Sequence, residues 1–300
     1  MRRLSWLLWA MASMASLAAQ PGREALLIDP AALAARLDAP DTVLLHVGDP
    51  AAYAVAHIPG ARLVPQAGLA APRGADPGAL ILELPDAATL RGQLQQLGIA
   101  PSSRIVVYFG KDEFPQATRV LYTLDAAGWG ERVSLLDGGL PEWQRQGRPV
   151  TAAAPTVAAS SLPALQLKPR SADAAFIQAN TGKPKVLLLD ARASQFYTGA
   201  ETSRAQATTR AGHLPGARSV PFTAVASPAL RIKPQDELAK LFADAGAKPG
   251  DKVVVYCHVG QQASAVQFAA RLAGLDAVIY DGSFQEWAQN GLPLRMGATP

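Results

Sequence analysis

The sequence contains a single cysteine, Cys257. A lone sulfur forms no intrachain disulfide, and the pairs or quartets of thiolates that hold structural zinc are excluded with it. Charge is also sparse: 17% of the residues are charged, the net formal charge is +4, and no Lys/Arg run is interleaved with aromatics. Nucleic-acid binding depends on a concentrated basic footprint and finds no support here. With 49% hydrophobic residues and 24 prolines scattered along the chain, real cores can be buried, which rules out wholesale disorder and fibrous repeats. The 300 residues correspond to about two ordinary domains.

Nor is there an apolar run of comfortable membrane-spanning length at the start. Met1-Arg2-Arg3 precedes an apolar stretch over residues 4–19 that is short for a span. It reads as an export signal over residues 1–19, with Ser16 and Ala18 small enough for the pocket positions of a signal peptidase. The mature chain is thus expected to be periplasmic, without stable membrane association after processing. A single thiol without a partner avoids misbridging in such an oxidising compartment.

What the sequence does have is a copy of itself. Val43-Leu44-Leu45-His46 matches Leu187-Leu188-Leu189-Asp190, and His57-Ile58-Pro59-Gly60-Ala61-Arg62 matches His213-Leu214-Pro215-Gly216-Ala217-Arg218. Ile105-Val106-Val107-Tyr108 matches Val253-Val254-Val255-Tyr256, and Asp137-Gly138-Gly139 with Trp143 matches Asp281-Gly282-Ser283 with Trp287. Two copies of one domain follow. They are expected over residues 24–149 and 164–296, joined by an extended Ala/Ser/Pro-rich linker over 150–163. The Trp pair is 144 residues apart and the His pair 156, so the second copy carries extra residues between Tyr197 and Gly212.

In each copy, β-branched runs (43–47 and 105–108; 186–189 and 253–256) alternate with amphipathic stretches such as 87–97 and 237–245. That alternation predicts an α/β fold, each copy a mainly parallel sheet flanked by helices on both faces. Cys257 ends the strand at 253–256, His258-Val259-Gly260-Gln261-Gln262 forms a turn, and a helix is expected over 263–273. The cysteine therefore sits in a strand-to-helix loop, where sheets of this kind bind ligands and where helix N–H groups favour an anion. Such a position can lower a thiol pKa, which predicts an exposed thiolate nucleophile. The six residues from His258 to Ala263 would supply the anion-cradling amides. A cysteine phosphatase would need an arginine in place of Ala263 to clamp phosphate oxygens; an arginine-free loop suits a persulfide ringed by amides.

These segments resemble the rhodaneses, or sulfurtransferases, in their tandem two-domain form. The resemblance rests on Tyr256-Cys257-His258-Val259-Gly260-Gln261-Gln262-Ala263, Gly212-His213-Leu214-Pro215-Gly216-Ala217, Leu189-Asp190-Ala191-Arg192, and Tyr280-Asp281-Gly282-Ser283 with Glu286-Trp287. It implies two tandem rhodanese-like domains and ping-pong transfer of a sulfane sulfur through a Cys257 persulfide, with no metal or organic cofactor. The donor expected from the resemblance is thiosulfate, with 3-mercaptopyruvate as the alternative, and the expected acceptor is cyanide or a thiol. A persulfide carrier without turnover is the non-enzymatic alternative. The first copy has Phe109-Gly110-Lys111-Asp112-Glu113-Phe114 in place of the cysteine loop, so it resembles the inactive domain of such proteins and is expected to form one wall of the cleft.

Two departures concern the donor. Many tandem members carry an arginine where this chain has Phe196, which leaves Arg204 and Arg210 of the inserted loop, and Arg192, as candidate donor-binding residues. His258 replaces both the arginine and the glycine that mark the two donor types. It is read as a proton carrier, a partial positive charge or a solvent-facing loop residue. His57 and His213, being matched, are assigned to the fold, Asp190 and Arg192 to a structural pair, and Trp143 and Trp287 to packing.

Overall fold

The apolar runs become the strands of two all-parallel sheets. The computed structural model describes residues 22–65, 67–112, 114–202 and 209–300; the expected export signal and Arg204 lie outside the described residues. The first sheet holds β1 (Leu27–Ile28), β2 (Thr42–Val47), β3 (Arg62–Val64), β4 (Arg104–Phe109) and β5 (Val133–Leu136), in the order β1-β5-β4-β2-β3. The second holds β6 (Ser171–Ala172), β7 (Val186–Asp190), β8 (Arg218–Ser219), β9 (Lys252–Tyr256) and β10 (Asp276–Tyr280), in the order β6-β10-β9-β7-β8. The two orders are the same order repeated.

Alternate strand residues face opposite sides of a sheet. Val254 and Tyr256 point into an outer core with Trp287, whereas Val253, Val255 and Cys257 belong to an inner apolar cluster that also contains Val43, Leu45, Val107 and Phe109 of the first sheet. The period of two thus turns Cys257 toward the other domain. Between the sheets lie α5 (Phe114–Leu124) and α10 (Gln261–Leu272), which pack on each other. Only Gln116 in α5 is not buried, and α10 is buried from Ala263 onward. Helices covered on all sides belong between layers, here between two domains. Asp125, just beyond α5, pairs with Arg271 of α10 at 3.1 Å and with Arg170 at 2.9 Å.

The matched residues assigned to the fold make matched contacts. His57 Nδ1 meets the Tyr53 carbonyl and His213 Nδ1 the Tyr197 carbonyl, both at 2.8 Å, and each imidazole stacks on that tyrosine. Trp143 and Trp287 are buried and donate to the carbonyls of Pro149 and Pro293. The segment after Thr151 stays outside helix and strand up to Arg170, beyond the expected linker limit at 163. It follows the first domain, with the Ser160 amide on the Gln95 carbonyl and the Lys168 amide on the Ala126 carbonyl.

Each domain also sends an arm to the other. The amide of Leu84 donates to Asp281 Oδ2 at 2.8 Å, and that of Ile232 donates to Asp137 Oδ1 at 2.9 Å. Leu82 and Leu230, two residues earlier in each arm, share a left-handed backbone with φ of 62° and 55°. That conformation is uncommon for leucine, and its recurrence marks the arms as equivalent. From α11 (Ser283–Gln289), Gln285 and Gln289 add contacts to residues 78–81 of the first arm.

Candidate active site

Cys257 follows the central strand β9, one residue beyond Tyr256, and three main-chain amides converge on its sulfur: those of Val259, Gln262 and Ala263. Gly260 makes the convergence possible. It caps α10 with φ of 81°, and a Cβ there would lie 2.8 Å from Arg119 Nη1 and 3.1 Å from the Asp281 carbonyl oxygen. The rest of the loop is held from α11. Ser283 Oγ accepts from the Cys257 amide and donates to the Tyr280 carbonyl, while the amides of Phe284 and Gln285 donate to the carbonyls of Cys257 and His258 at 3.0 Å.

The expected exposed thiolate is corrected in one respect. Cys257 has no exposed surface, and burial pushes its thiol up from the ordinary cysteine value, outweighing the lowering by the three amides. The amides oppose a desolvation that the sequence did not reveal, because strand alternation turns the sulfur into the interdomain cluster.

His258 is also corrected. It neither faces solvent nor carries charge: only 9% of it is exposed, its ring stands edge-on to Phe196 at 4.7 Å, and burial together with the Arg192 charge lowers its pKa to about 4. Phe196 thus packs against the loop where the family's arginine would project a charge.

Asp190 and Arg192 form the expected pair, fully interior. Arg192 Nε and Nη2 reach both carboxylate oxygens, Nη2 also donates to the Gly212 carbonyl at 2.7 Å, and the guanidinium lies 4.2 Å from the Phe284 ring centroid. Burial works against the guanidinium charge, but Asp190 wins and raises the pKa. Arg210 donates to the Ala288 carbonyl at 3.3 Å, which places it beside α11.

The first domain closes the site, and several of its contributions went unread in the sequence. Phe109 occupies the place of Cys257, and its ring fills the space against Gly139; a Cβ on Gly139 would lie 2.6 Å from that ring. The matching pair in the second domain is Cys257 with Ser283, so a small residue on the strand is accompanied by a hydroxyl on the helix. Arg119 of α5 donates to Asp281 Oδ1 at 2.5 Å and to the Leu82 carbonyl. One turn of α10 is also gripped through Thr118 Oγ1 and Ser264 Oγ, 2.8 Å apart. A second matched pair could have revealed the arms: Leu82-Glu83-Leu84-Pro85 and Leu230-Arg231-Ile232-Lys233-Pro234.

Glu83 on the first arm is raised to about 7 by burial and by Asp281 and Glu286, against the lowering by Arg119. A carboxyl that holds its proton more tightly when folded loses native stability as pH rises from its unfolded value of 4.5 through 7. Glu83→Gln removes that loss. Thermal unfolding of the variant should match the wild type near pH 4.5 and exceed it above pH 7 by about 1–2 kcal/mol, after allowance for solvent screening. An equal difference at both pH values would contradict the assignment.

The rhodanese-like domain model matches residues 29–146 and again 173–290. The chain belongs to the rhodanese-like family. Among curated rhodaneses it is 30% identical over 266 residues to a thiosulfate sulfurtransferase of Pseudomonas aeruginosa, covering 88% of this chain and 94% of that one. A probable 3-mercaptopyruvate sulfurtransferase of the same organism is 34% identical over 285 residues, covering 89% and 95%. Among solved rhodanese folds, SseA from Escherichia coli, described as a 3-mercaptopyruvate sulfotransferase, superposes with a TM-score of 0.74 at 25% identity, covering 86% of this chain and 98% of that one.

Proposed function

We propose that this protein is a sulfurtransferase that moves a sulfane sulfur from thiosulfate to a thiophilic acceptor, cyanide or a thiol, through a persulfide on Cys257. The observation that carries this reading is the convergence of the Val259, Gln262 and Ala263 amides on the Cys257 sulfur. The thiolate attacks the outer sulfur of thiosulfate, a new S–S bond forms, the old one breaks, and its electron pair leaves with sulfite. Cyanide then attacks the terminal sulfur of the persulfide, and the bonding pair returns to Cys257 as thiocyanate departs. Both steps carry negative charge on sulfur, and fixed amides stabilise that charge without reorganising.

The neutral His258 contributes its main chain to the loop rather than a positive charge. Arg192, engaged with Asp190 and Gly212, acts through the fold of the site, and Arg210 and Arg204 are the proposed sources of charge for the donor. An export signal over residues 1–19 would place the reaction in the periplasm.

Intact-mass measurement tests the reading. Thiosulfate should add one sulfur atom, cyanide should remove it, and the cycle should repeat over many turnovers. A stable adduct that is never discharged would mean a carrier instead. Parallel assays at equal donor concentration should show faster turnover with thiosulfate than with 3-mercaptopyruvate, and the reverse ranking would reassign the donor.

A further inference from the structure

We propose that Arg119, supplied by the domain that lacks a cysteine, is a positioning residue for the sulfur-carrying loop. The inference rests on the reading of Cys257 as the sulfur carrier. Its basis is an asymmetry between two otherwise equivalent contacts. In the first domain, Asp137 is held by Arg231, which belongs to the arm itself and whose side chain is 46% exposed. In the second, the arm has Glu83 at that place, and the cation on Asp281 comes from α5 as Arg119, whose side chain is 6% exposed. Moving the cation from the arm to the helix brings it onto the catalytic loop.

There it meets Gly260, which lies between the amides of Val259 and Gln262. A Cβ on Gly260 would sit 2.8 Å from Arg119 Nη1 and 3.2 Å from Asp281 Oδ1, so guanidinium and carboxylate press directly on bare main chain. Arg119 is itself fixed. It donates to Asp281 and to the Leu82 carbonyl, and its guanidinium lies 4.8 Å from the Tyr122 ring centroid. Asp281 also accepts the Leu84 amide and precedes the Ser283-Phe284-Gln285 segment that holds the Cys257 and His258 backbone. One guanidinium therefore ties together the arm, the turn before α11 and the head of α10.

The ionisable groups facing this cluster are Asp281 and Glu286 from the second domain, Glu83 from the arm and Tyr122 from α5. Removing the guanidinium leaves Asp281, Glu286, Glu83 and the Tyr122 phenol on that side of the loop with no cation among them. The amides then lose their common focus, and the thiolate loses stabilisation.

The test uses the full chain with Arg119→Lys and Arg119→Met, following the rate of Cys257 alkylation by iodoacetamide against pH, with the thermal midpoint as a control. The ammonium of Arg119→Lys still pairs with Asp281, which keeps the variant folded, but it cannot also reach the Leu82 carbonyl while lying on Gly260. The alkylation midpoint should move to higher pH by about half a unit for Lys and about one unit for Met. The absolute rate also carries the opening that admits the reagent to a buried sulfur, so the midpoint is the deciding readout. A folded Lys variant with the wild-type midpoint overturns the proposal, whatever its melting temperature. Alkylation needs no sulfur donor, so this result is independent of the mass experiment above. Wild type that takes no sulfur from thiosulfate refutes the function, whereas an unmoved midpoint refutes only the role of Arg119.

Discussion

Cys257→Ser is expected to reduce sulfur transfer to the background rate, a loss of at least ~1,000-fold, because a hydroxyl that stays protonated at neutral pH cannot form or discharge a persulfide. The substitution is close to isosteric, so the three amides keep their directions and only the nucleophile changes. Serine buried without surface must find a hydrogen-bond partner or lose about 1–3 kcal/mol of stability. Thiocyanate production and intact mass should therefore be measured well below the melting temperature of the variant. Residual turnover above a few per cent of wild type would move the reactive group elsewhere in the chain.

The second large effect is on stability. Arg192→Leu should cost about 3–5 kcal/mol, because it leaves the Asp190 carboxylate uncompensated at a site with no exposed surface. The same substitution combined with Asp190→Leu should cost much less than the single change, since both charges are then gone and the space is filled by apolar groups. Urea unfolding of the single and double variants measures both quantities. If Arg192→Leu lies within about 1 kcal/mol of wild type, the pair is not structural, and Arg192 becomes available for a direct role with the donor.

Much of this architecture can be read from the residues because the chain states it twice. The short β-branched runs, the alternation with helices and the matched His, Tyr and Trp residues each have one physical explanation, and the structure places them accordingly. The loop after Cys257 occurs in one copy only and is read on its own chemistry: a polar, glycine-containing turn after an apolar strand is a poor core, and the structure directs three of its amides at the sulfur.

What could not be read is what depends on the way the two copies meet. Strand alternation implies that Cys257 shares a face with Val253 and Val255, but only the packing of α5 on α10 shows that this face is closed, which is why the thiol is raised rather than lowered. The packing of His258 is not legible locally, because its ring contact is with Phe196, more than sixty positions away. Arg119 and Glu83 carry no local motif, and their meaning arises only where one domain touches the other.

The aromatic plug in the first domain makes its lack of a thiol hard to reverse. A cysteine in place of Phe109 would leave a void beside Gly139, and a serine in place of Gly139 would collide with the Phe109 ring. Each exchange alone damages the core, and even both together restore only the strand and helix positions, because Gly110-Lys111-Asp112-Glu113 stands where the working half has its amide-bearing loop. Drift by single steps therefore cannot restore chemistry to that half, and selection is left to act on it as scaffolding.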